Sequence, residues 1–468
     1  MEKPGDAQYE VAHGVDSLST IDPAAERRLL RKIDLHMVPI VWLMFLFSNL
    51  DRSNIGNAYS GGMQKDLNMT SNQYSVALLV FFIGYCLAEV PSNMLLSRLR
   101  PSVYLPAIMF VWGAVAVGLA GCRSYEALAG VRAVLGIAES GFSPGVIFLL
   151  SSWYRKNELA RRFCFYWTGS PASGAVGGLL AGAVIKRLDG SAGLEGWRWL
   201  FIIEGIATCL AGVAAFFVLP DFPMNTKWLS DEEKTLSLQR LQADNLGSGG
   251  GHMPEDVGHL RSLKAAFADW RTYIFIFLYT MCTGALTITY FIPTLVASLG
   301  YTGSAIQYMT VPIYGVCIVL ILVVCFHSDL RQERAFHLAA CGLVAAVCFA
   351  AIMGTTKHVP QYVLLCFAAA GIWCSIPLIL VWVSNVITWP AEKRAIAQAA
   401  TNAAGNMASI YGAFLWPSSD APRYLAGFGT TLAFLVLMAG VAVLAKYLFR
   451  RYPYPQIQSA APVPARVV

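Results

Sequence analysis

The chain has 468 residues, 56% of them hydrophobic and only 13% charged, with a mean hydropathy of +0.54. A soluble protein carries about 25% charged residues, so the composition excludes a soluble globular protein and defines a polytopic membrane protein. The net charge of +6 resides in short basic loops beside apolar segments, which calls for no nucleic-acid partner.

Residues 1–32 are polar and contain acids, which fits neither a secretory nor a mitochondrial leader, so the first membrane segment acts as the insertion signal. Twelve apolar segments follow, at 33–57, 72–97, 103–122, 127–154, 161–185, 197–219, 272–298, 304–327, 334–354, 360–388, 395–417 and 423–449. The eleven cysteines are scattered through these stretches without CxxC spacing and read as small core residues, with no disulfide framework and no metal site.

In segment 1 the apolar run Met37–Leu50 is only fourteen residues long. A helix needs about 20 residues to cross a bilayer core. If this segment spans, the polar stretch from Asn49 to Asn57 continues the helix and places Asp51 and Arg52 at bilayer depth. A charge there costs at least ~2.5 kcal/mol and is a functional candidate by default. The alternative is a helix that ends at Leu50 and leaves Asp51-Arg52 solvated. Segment 2 carries Tyr85, Glu89 and Asn93 at i+4 steps, with a bend expected at Pro91. Glu89 is either functional or an anchor for the following loop.

Arg132, Gly136 and Glu139 in segment 4 are spaced i, i+4, i+7 and share one helix face, with Arg132 in the outer half and Glu139 near the middle. They are either site groups or a structural ion pair. Segment 5 is dense in small residues from Gly169 to Gly182, a pattern that permits close helix packing. Glu204 in segment 6 reads as structural.

Between segments 6 and 7, Ser230 and Glu233 form a capping box for a helix from Asp231 to about Ala243. Gly247 to Gly251 is a flexible linker. Leu260, Leu263, Ala266 and Phe267 share a face that suits an interfacial helix. Segments 7, 8, 9 and 12 have no acid or base in their apolar cores. The polar groups of the second half are neutral: Thr287, Thr289 and Tyr290, then Gln307 and Tyr308, Trp382, Ser384 and Asn385, and Asn402, Asn406 and Tyr411. Trp382 suits a site or a core equally. The Ser328-Asp329-Leu330-Arg331 loop is expected to form charge pairs.

Lys and Arg crowd the flanks on one side, from Arg27, Arg28, Arg31 and Lys32 through Arg98, Arg100, Arg161 and Arg162 to Arg450 and Arg451; they are sparser on the other, where Lys65, Arg123, Lys186, Arg187, Arg198, Lys357 and Arg423 lie. Both termini are therefore expected to be cytoplasmic. The chain divides into a tail (1–32), a six-helix half (33–219), a central cytoplasmic loop (220–271), a second six-helix half (272–450) and a second tail (451–468). Two six-helix halves joined by a long inner loop is the layout of major facilitator transporters, whose substrate site lies near the midplane.

Four stretches, Leu50-Asp51-Arg52-Ser53-Asn54-Ile55-Gly56-Asn57-Ala58, Glu89-Val90-Pro91-Ser92-Asn93, Gly196-Trp197-Arg198-Trp199-Leu200-Phe201 and Asn402-Ala403-Ala404-Gly405-Asn406 through Pro422-Arg423-Tyr424, together resemble the anion:cation symporter family of that superfamily. The nearest likeness is to the fungal allantoate permease group, over about residues 25–450. The resemblance implies an all-α polytopic membrane fold of twelve transmembrane helices in two halves. It implies a carrier, not an enzyme, that imports a small organic anion or carboxylated vitamin such as nicotinate together with protons and without cofactors. By this resemblance Asp51 and Glu139 are proton-coupling carboxylates, and Arg52 and Arg132 bind the substrate anion. Glu89 joins the proton-coupling set, and Tyr85, Trp382, Asn385, Asn402 and Asn406 are candidates to complete the substrate site. The expected cycle has Asp51 and Glu139 in salt bridges with the arginines until protonation frees the guanidiniums for an incoming anion.

The expected surroundings are a lipid bilayer, the plasma membrane, and a monomeric state. Pro171 with Gly174, Gly177 and Gly178 is imperfectly similar to a segment-5 motif of proton antiporters, which keeps open an efflux antiporter for a metabolite, toxin or drug. A nutrient receptor is a further class. A membrane enzyme has little support, because the seven histidines lie near loops or segment ends.

Overall fold

The computed structural model of the protein describes residues 22–96, 99–247, 259–387, 391–421 and 423–454. Most of both tails, Arg98, the glycine linker beyond Gly247 and the Asn93 side chain lie outside the described residues. Every regular element among the described residues is helical.

The first half consists of α1 (Pro23–Ala58), α2 (Ser71–Leu96), α3 (Pro101–Leu119), α4 (Tyr125–Glu139), α5 (Phe142–Ser151), α6 (Lys156–Trp167), α7 (Gly169–Arg187) and α8 (Gly196–Val218). The connection holds α9 (Asp231–Gly247) and α10 (His259–Phe267). The second half consists of α11 (Trp270–Leu286), α12 (Ile292–Ser298), α13 (Ser304–Tyr308), α14 (Thr310–Arg331), α15 (Ala335–Gly354), α16 (His358–Val386), α17 (Ala391–Gly412) and α18 (Leu425–Arg451). Among the described residues all twelve apolar segments fold as helix, four of them in two pieces. Among the described residues, 11 spans are long and apolar enough to cross a membrane. The exception is α17, whose 22 residues include Glu392, Lys393, Arg394, Gln398, Thr401, Asn402 and Asn406.

The 36-residue α1 decides the first question raised by the sequence. It starts at Pro23, whose missing N–H costs nothing at that position, under an Asp22 cap whose carboxylate accepts from the Ala24 and Ala25 amides. It then runs without a break through Leu50, Asp51 and Arg52 to Ala58, so these residues do not sit on a solvated end. At about 1.5 Å per residue it is long enough to cross the bilayer and reach beyond it. A π-helical turn at Tyr59–Met63 follows, and Gly62 there adopts φ 119°, a backbone open to glycine.

Packing is pseudo-symmetric. In the first half α3 packs on α8, α2 on α4 and α1 on α7. Six segments later the same pairings recur as α15 on α18, α14 on α16 and α11 on α17. The halves meet where α7 lies against α13 and α14, and where α2 lies against α17. Gly174, Gly178 and Gly182 let α7 approach that closely: a Cβ on Gly182 would come 2.6 Å from the Tyr308 ring.

The side where α1 begins and α18 ends is fastened by ion pairs within the first half and between the halves and their connection. Arg162 grips Asp34 with two bonds of 2.5 and 2.7 Å, Arg240 reaches Glu26 at 2.8 Å and Glu158 at 2.7 Å, and Lys393 meets Asp269 at 2.7 Å. The capping box is present: Glu233 Oε2 accepts from the Ser230 amide at 2.9 Å and Ser230 Oγ accepts from the Glu233 amide at 3.2 Å, although the helix runs to Gly247, past Ala243. Burial opposes the Glu233 carboxylate, but the bond from Lys32 and the Ser230 amide outweigh it and hold its pKa below the ordinary value. In the 328–331 loop, Asp329 pairs with Arg334 and not with Arg331. In α10, Leu263 and Phe267 are exposed and Ala266 is buried, while the Leu260 side chain lies outside the described residues.

On the distal side, hydrogen bonds cross between the halves. Tyr74 donates to the Tyr290 carbonyl at 3.0 Å, Ser75 donates to the Ala413 carbonyl at 2.7 Å, and Gln307 donates to Ser60 Oγ at 3.0 Å. Gly56 sits inside this seal, where a Cβ would stand 2.6 Å from the Tyr290 carbonyl oxygen. Gly56→Ala should therefore push the distal seal apart while leaving both halves folded. A cysteine placed at Ser60 should react with a membrane-impermeant thiol reagent several-fold faster in the Gly56→Ala background; equal rates would show that Gly56 does not hold the seal.

Candidate functional site

The polar stretch of α1 and the polar face of α4 meet inside the first half. Arg52 Nε donates to Glu139 Oε1 at 2.7 Å. Ser48, one turn earlier on α1, donates its hydroxyl to the same oxygen. The Glu139 side chain is 0% exposed and that of Arg52 16%. The Arg52 guanidinium carbon also stands 4.7 Å from the centre of the Tyr85 ring, on the face of α2 that packs against α4.

Arg132 is fully buried, two turns from Glu139 on α4. Its guanidinium lies 4.6 Å from the centre of the Phe81 ring, a ring that is also 5.6 Å from that of Arg52. Neither Nε nor Nη1 of Arg132 has a hydrogen-bond partner, and Arg52 Nη2 and Glu139 Oε2 are likewise buried and unpartnered. Four polar atoms of one charged cluster are thus withdrawn from water without compensation, a condition that costs free energy unless a further group completes the set.

A cavity of about 100 Å³ lies between the halves beside this cluster. Arg52, Asn49 and Ser170 reach it from the first half, and Tyr279, Tyr290, Trp373 and Asn406 from the second. Ser170 links the two sides: its Oγ lies 3.5 Å from the Trp373 indole nitrogen and donates to Asn49 Oδ1 at 3.0 Å. Segment 7 loosens from α-helix into a 3-10 turn at Thr287–Phe291, and Thr287, Thr289 and Tyr290 of that turn line the cavity. Irregular backbone is tolerated at membrane depth where it borders such a space. The arrangement offers one fixed cation, hydroxyls, amides and aromatic walls, which suits a small anion with polar substituents.

The sequence candidates divide as follows. Arg52 and Asn406 line the cavity, Glu139 holds Arg52, and Tyr85 stacks on it. Arg132 is adjacent but sealed behind Phe81. Glu89 accepts from the Asn402 amide of α17 at 3.4 Å, and Asn402 Oδ1 accepts from Tyr279 at 3.3 Å, so these residues join the halves on the side towards the termini.

Asp51 makes no salt bridge with either arginine. Its Oδ2 accepts from the Trp112 indole at 3.1 Å and the Thr208 hydroxyl at 3.0 Å. Consecutive residues point about 100° apart on a helix, and Arg52 takes the cavity side. The expected paired release of two salt bridges is therefore reduced to one, Arg52–Glu139. Trp382 and Asn385 are not at the cavity: Trp382 packs edge-on against Phe275 at 5.4 Å and against Phe449 at 5.6 Å, and Asn385 is exposed. The tryptophan of this helix that lines the cavity is Trp373, nine positions earlier, which at 100° per residue is the opposite face; Trp167 of α6 lines the cavity as well. Tyr279 was equally unmarked, one aromatic among several in an apolar segment.

Residues 41–413 match the family model of the Major Facilitator Superfamily. The MFS transporter prlL of a fungal species (strain NRRL 50135) is 35% identical over 442 residues, covering 92% of this chain and 88% of that one. A putative tartrate transporter of Agrobacterium vitis is 30% identical over 423 residues, covering 90% of this chain and 95% of that one. Among solved structures, a bacterial homologue of the human lysosomal transporter Spinster, inward-facing and unoccupied, superposes with a TM-score of 0.68 at 14% identity, covering 93% of this chain and 100% of that one.

The split between cavity and core gives opposed expectations. Trp382→Ala should cost about 3–5 kcal/mol of stability, seen as a lower Tm, without altering the affinity of the folded fraction for a carboxylate. Arg52→Lys should leave Tm near wild type but weaken carboxylate binding by about tenfold or more, roughly 1.4 kcal/mol, because an ammonium lacks the planar fork. Paired thermal unfolding and binding isotherms check both.

Proposed function

The chain belongs to the Major Facilitator Superfamily of membrane transporters, and from that premise we propose that it is a proton-coupled symporter importing a small organic anion that carries a carboxylate. The observation that carries this reading is the Arg52–Glu139 ion pair at the edge of the central cavity, with Arg132 behind it unpartnered at Nε and Nη1. While Glu139 is ionised it occupies the cation that an anion would use. A proton on Glu139 removes the competitor, and Arg52 turns its fork to the incoming carboxylate. The buried charge of Arg132 adds a field that favours an anion in the cavity over a neutral molecule.

Loss of the proton to the inside restores the Arg52–Glu139 pair and expels the anion, and the neutralised carrier resets empty. Asp51 serves as a second proton carrier through its own contacts and not by releasing an arginine. Glu89, joined to Asn402 across the halves, couples protonation to their separation. Both termini face the cytoplasm, and the plasma membrane is the proposed residence. The 30% identity to a protein named as a putative tartrate transporter supports a polar carboxylate as cargo and makes L-tartrate the first probe.

In proteoliposomes with an imposed inward proton gradient, the protein should accumulate L-tartrate or another small carboxylate from a test panel, and a protonophore should abolish the accumulation. Glu139→Gln, which mimics the protonated acid, should lose gradient-driven uptake but keep exchange of internal for external substrate, because exchange runs without the empty return step. Expulsion of substrate under the inward gradient would favour the antiport alternative. Wild-type accumulation by Glu139→Gln would remove Glu139 from the coupling.

A further inference from the structure

On the far side of α1 from the cavity lies a second set of buried polar groups. Glu204 of α8 is 1% exposed and Asp51 2%, both within the first half. Asn54 donates its amide to Glu204 Oε2, and Asn57 donates to Asn54 Oδ1 at 2.8 Å, which fixes the orientation of the Asn54 amide. Glu204 Oε1 is buried and has no partner. Thr208, one turn along α8 from Glu204, donates to Asp51 at 3.0 Å, so the two acids share one polar seam between α1 and α8.

Among the described residues, no lysine, arginine or histidine forms an ion pair with either acid. The charged or titratable groups facing Asp51 are Glu139 on α4 and Arg132 on the same helix, with Cys209 on α8; the one facing Glu204 is Asp51. The α3 helix brings the Trp112 indole to the seam and α7 the glycine surface at Gly177.

Arg132 faces Asp51 without forming an ion pair, whereas Glu204 has only another acid facing it, so the Glu204 carboxylate in this dry interior calls for a bound cation or a proton. The space decides which one. A Cβ on Gly177 of α7 would lie 2.6 Å from Asn54 Oδ1, and a Cβ on Gly205, next to Glu204, would lie 2.8 Å from the Gly113 carbonyl of α3. Helices pressed together on glycine faces leave no shell for a metal ion with six or more oxygen ligands. A proton needs no such space.

We propose that Glu204, together with Asp51, is a second proton-binding site of this carrier, separate from the Arg52–Glu139 pair, in which the proton resides on the unpartnered Oε1 of Glu204. The Asn57–Asn54 relay presents a donor to Oε2 and so directs the proton to the other oxygen. This rests on the reading of the protein as a proton-driven carrier and adds Glu204 to the carboxylates, Glu139 and Asp51, that bind protons in that reading.

The test is infrared spectroscopy of the full-length protein in lipid nanodiscs, followed as a function of pH and without substrate. The wild type should show a protonated-carboxyl C=O band that shifts in D2O, disappears as pH rises and is lost in Glu204→Gln; Asp51→Asn should displace the pH at which it disappears. Sodium should leave the band unchanged. A band identical in Glu204→Gln, or one insensitive to every pH at which the protein stays folded, would make Glu204 a structural hydrogen-bond acceptor and overturn the proposal. Loss of the wild-type band on adding sodium would make the site a metal site and also overturn it. If Glu204→Gln does not fold, Asn54→Leu withdraws the donor to Oε2 and should shift the same band; no shift counts against the proposal. Because no substrate is present, a wrong assignment of cargo or direction leaves this result untouched.

Discussion

The structure depends on one ion pair held in the wrong solvent. Arg52 and Glu139 meet at 2.7 Å inside a helical bundle, where each charge has given up several kcal/mol of hydration. Mutual attraction offsets that cost only while both partners stay charged and close. Adding a proton to one side of the pair therefore leaves an arginine that must find another anion. The neighbouring Arg132, unpartnered at Nε and Nη1, makes that demand larger. The placement of the remaining polar groups follows: hydroxyls and amides around the cavity, aromatic rings against the guanidiniums, and no competing acid from α11 or α14.

The division of labour between the halves has a physical basis. Charges in the first half are fixed by helix contacts within that half, α1 with α4 and α8. The second half contributes neutral walls, so it can move relative to the first without separating opposite charges in a low dielectric. The bonds that do cross the halves are neutral or single, such as Tyr74 to the Tyr290 carbonyl and Gln307 to Ser60. Such contacts break and re-form at modest cost, which is what a carrier alternating between two openings requires.

Much of this was legible in the sequence. The fourteen-residue apolar run before Asp51 was too short to span, and α1 does continue through the polar stretch. The Arg132–Gly136–Glu139 face was readable from its spacing. What spacing along one helix cannot supply is the partner on another. Asp51 and Arg52 are adjacent, and nothing local says that Arg52 faces α4 while Asp51 faces Trp112 and Thr208. The choice between Trp373 and Trp382 depends on the rotation of α16, whose apolar sequence on all faces carries no amphipathic signal. Glu204 read as structural because its neighbour Asn54, 150 positions away, becomes visible only in three dimensions.

The central claim is that an anion enters only as Glu139 gains a proton. Calorimetry of carboxylate binding to purified protein, repeated in buffers of different ionisation enthalpy, measures the protons taken up with the ligand. The account predicts net proton uptake on binding in the wild type, reduced in Glu139→Gln. Tight binding with no proton uptake at any pH would contradict it.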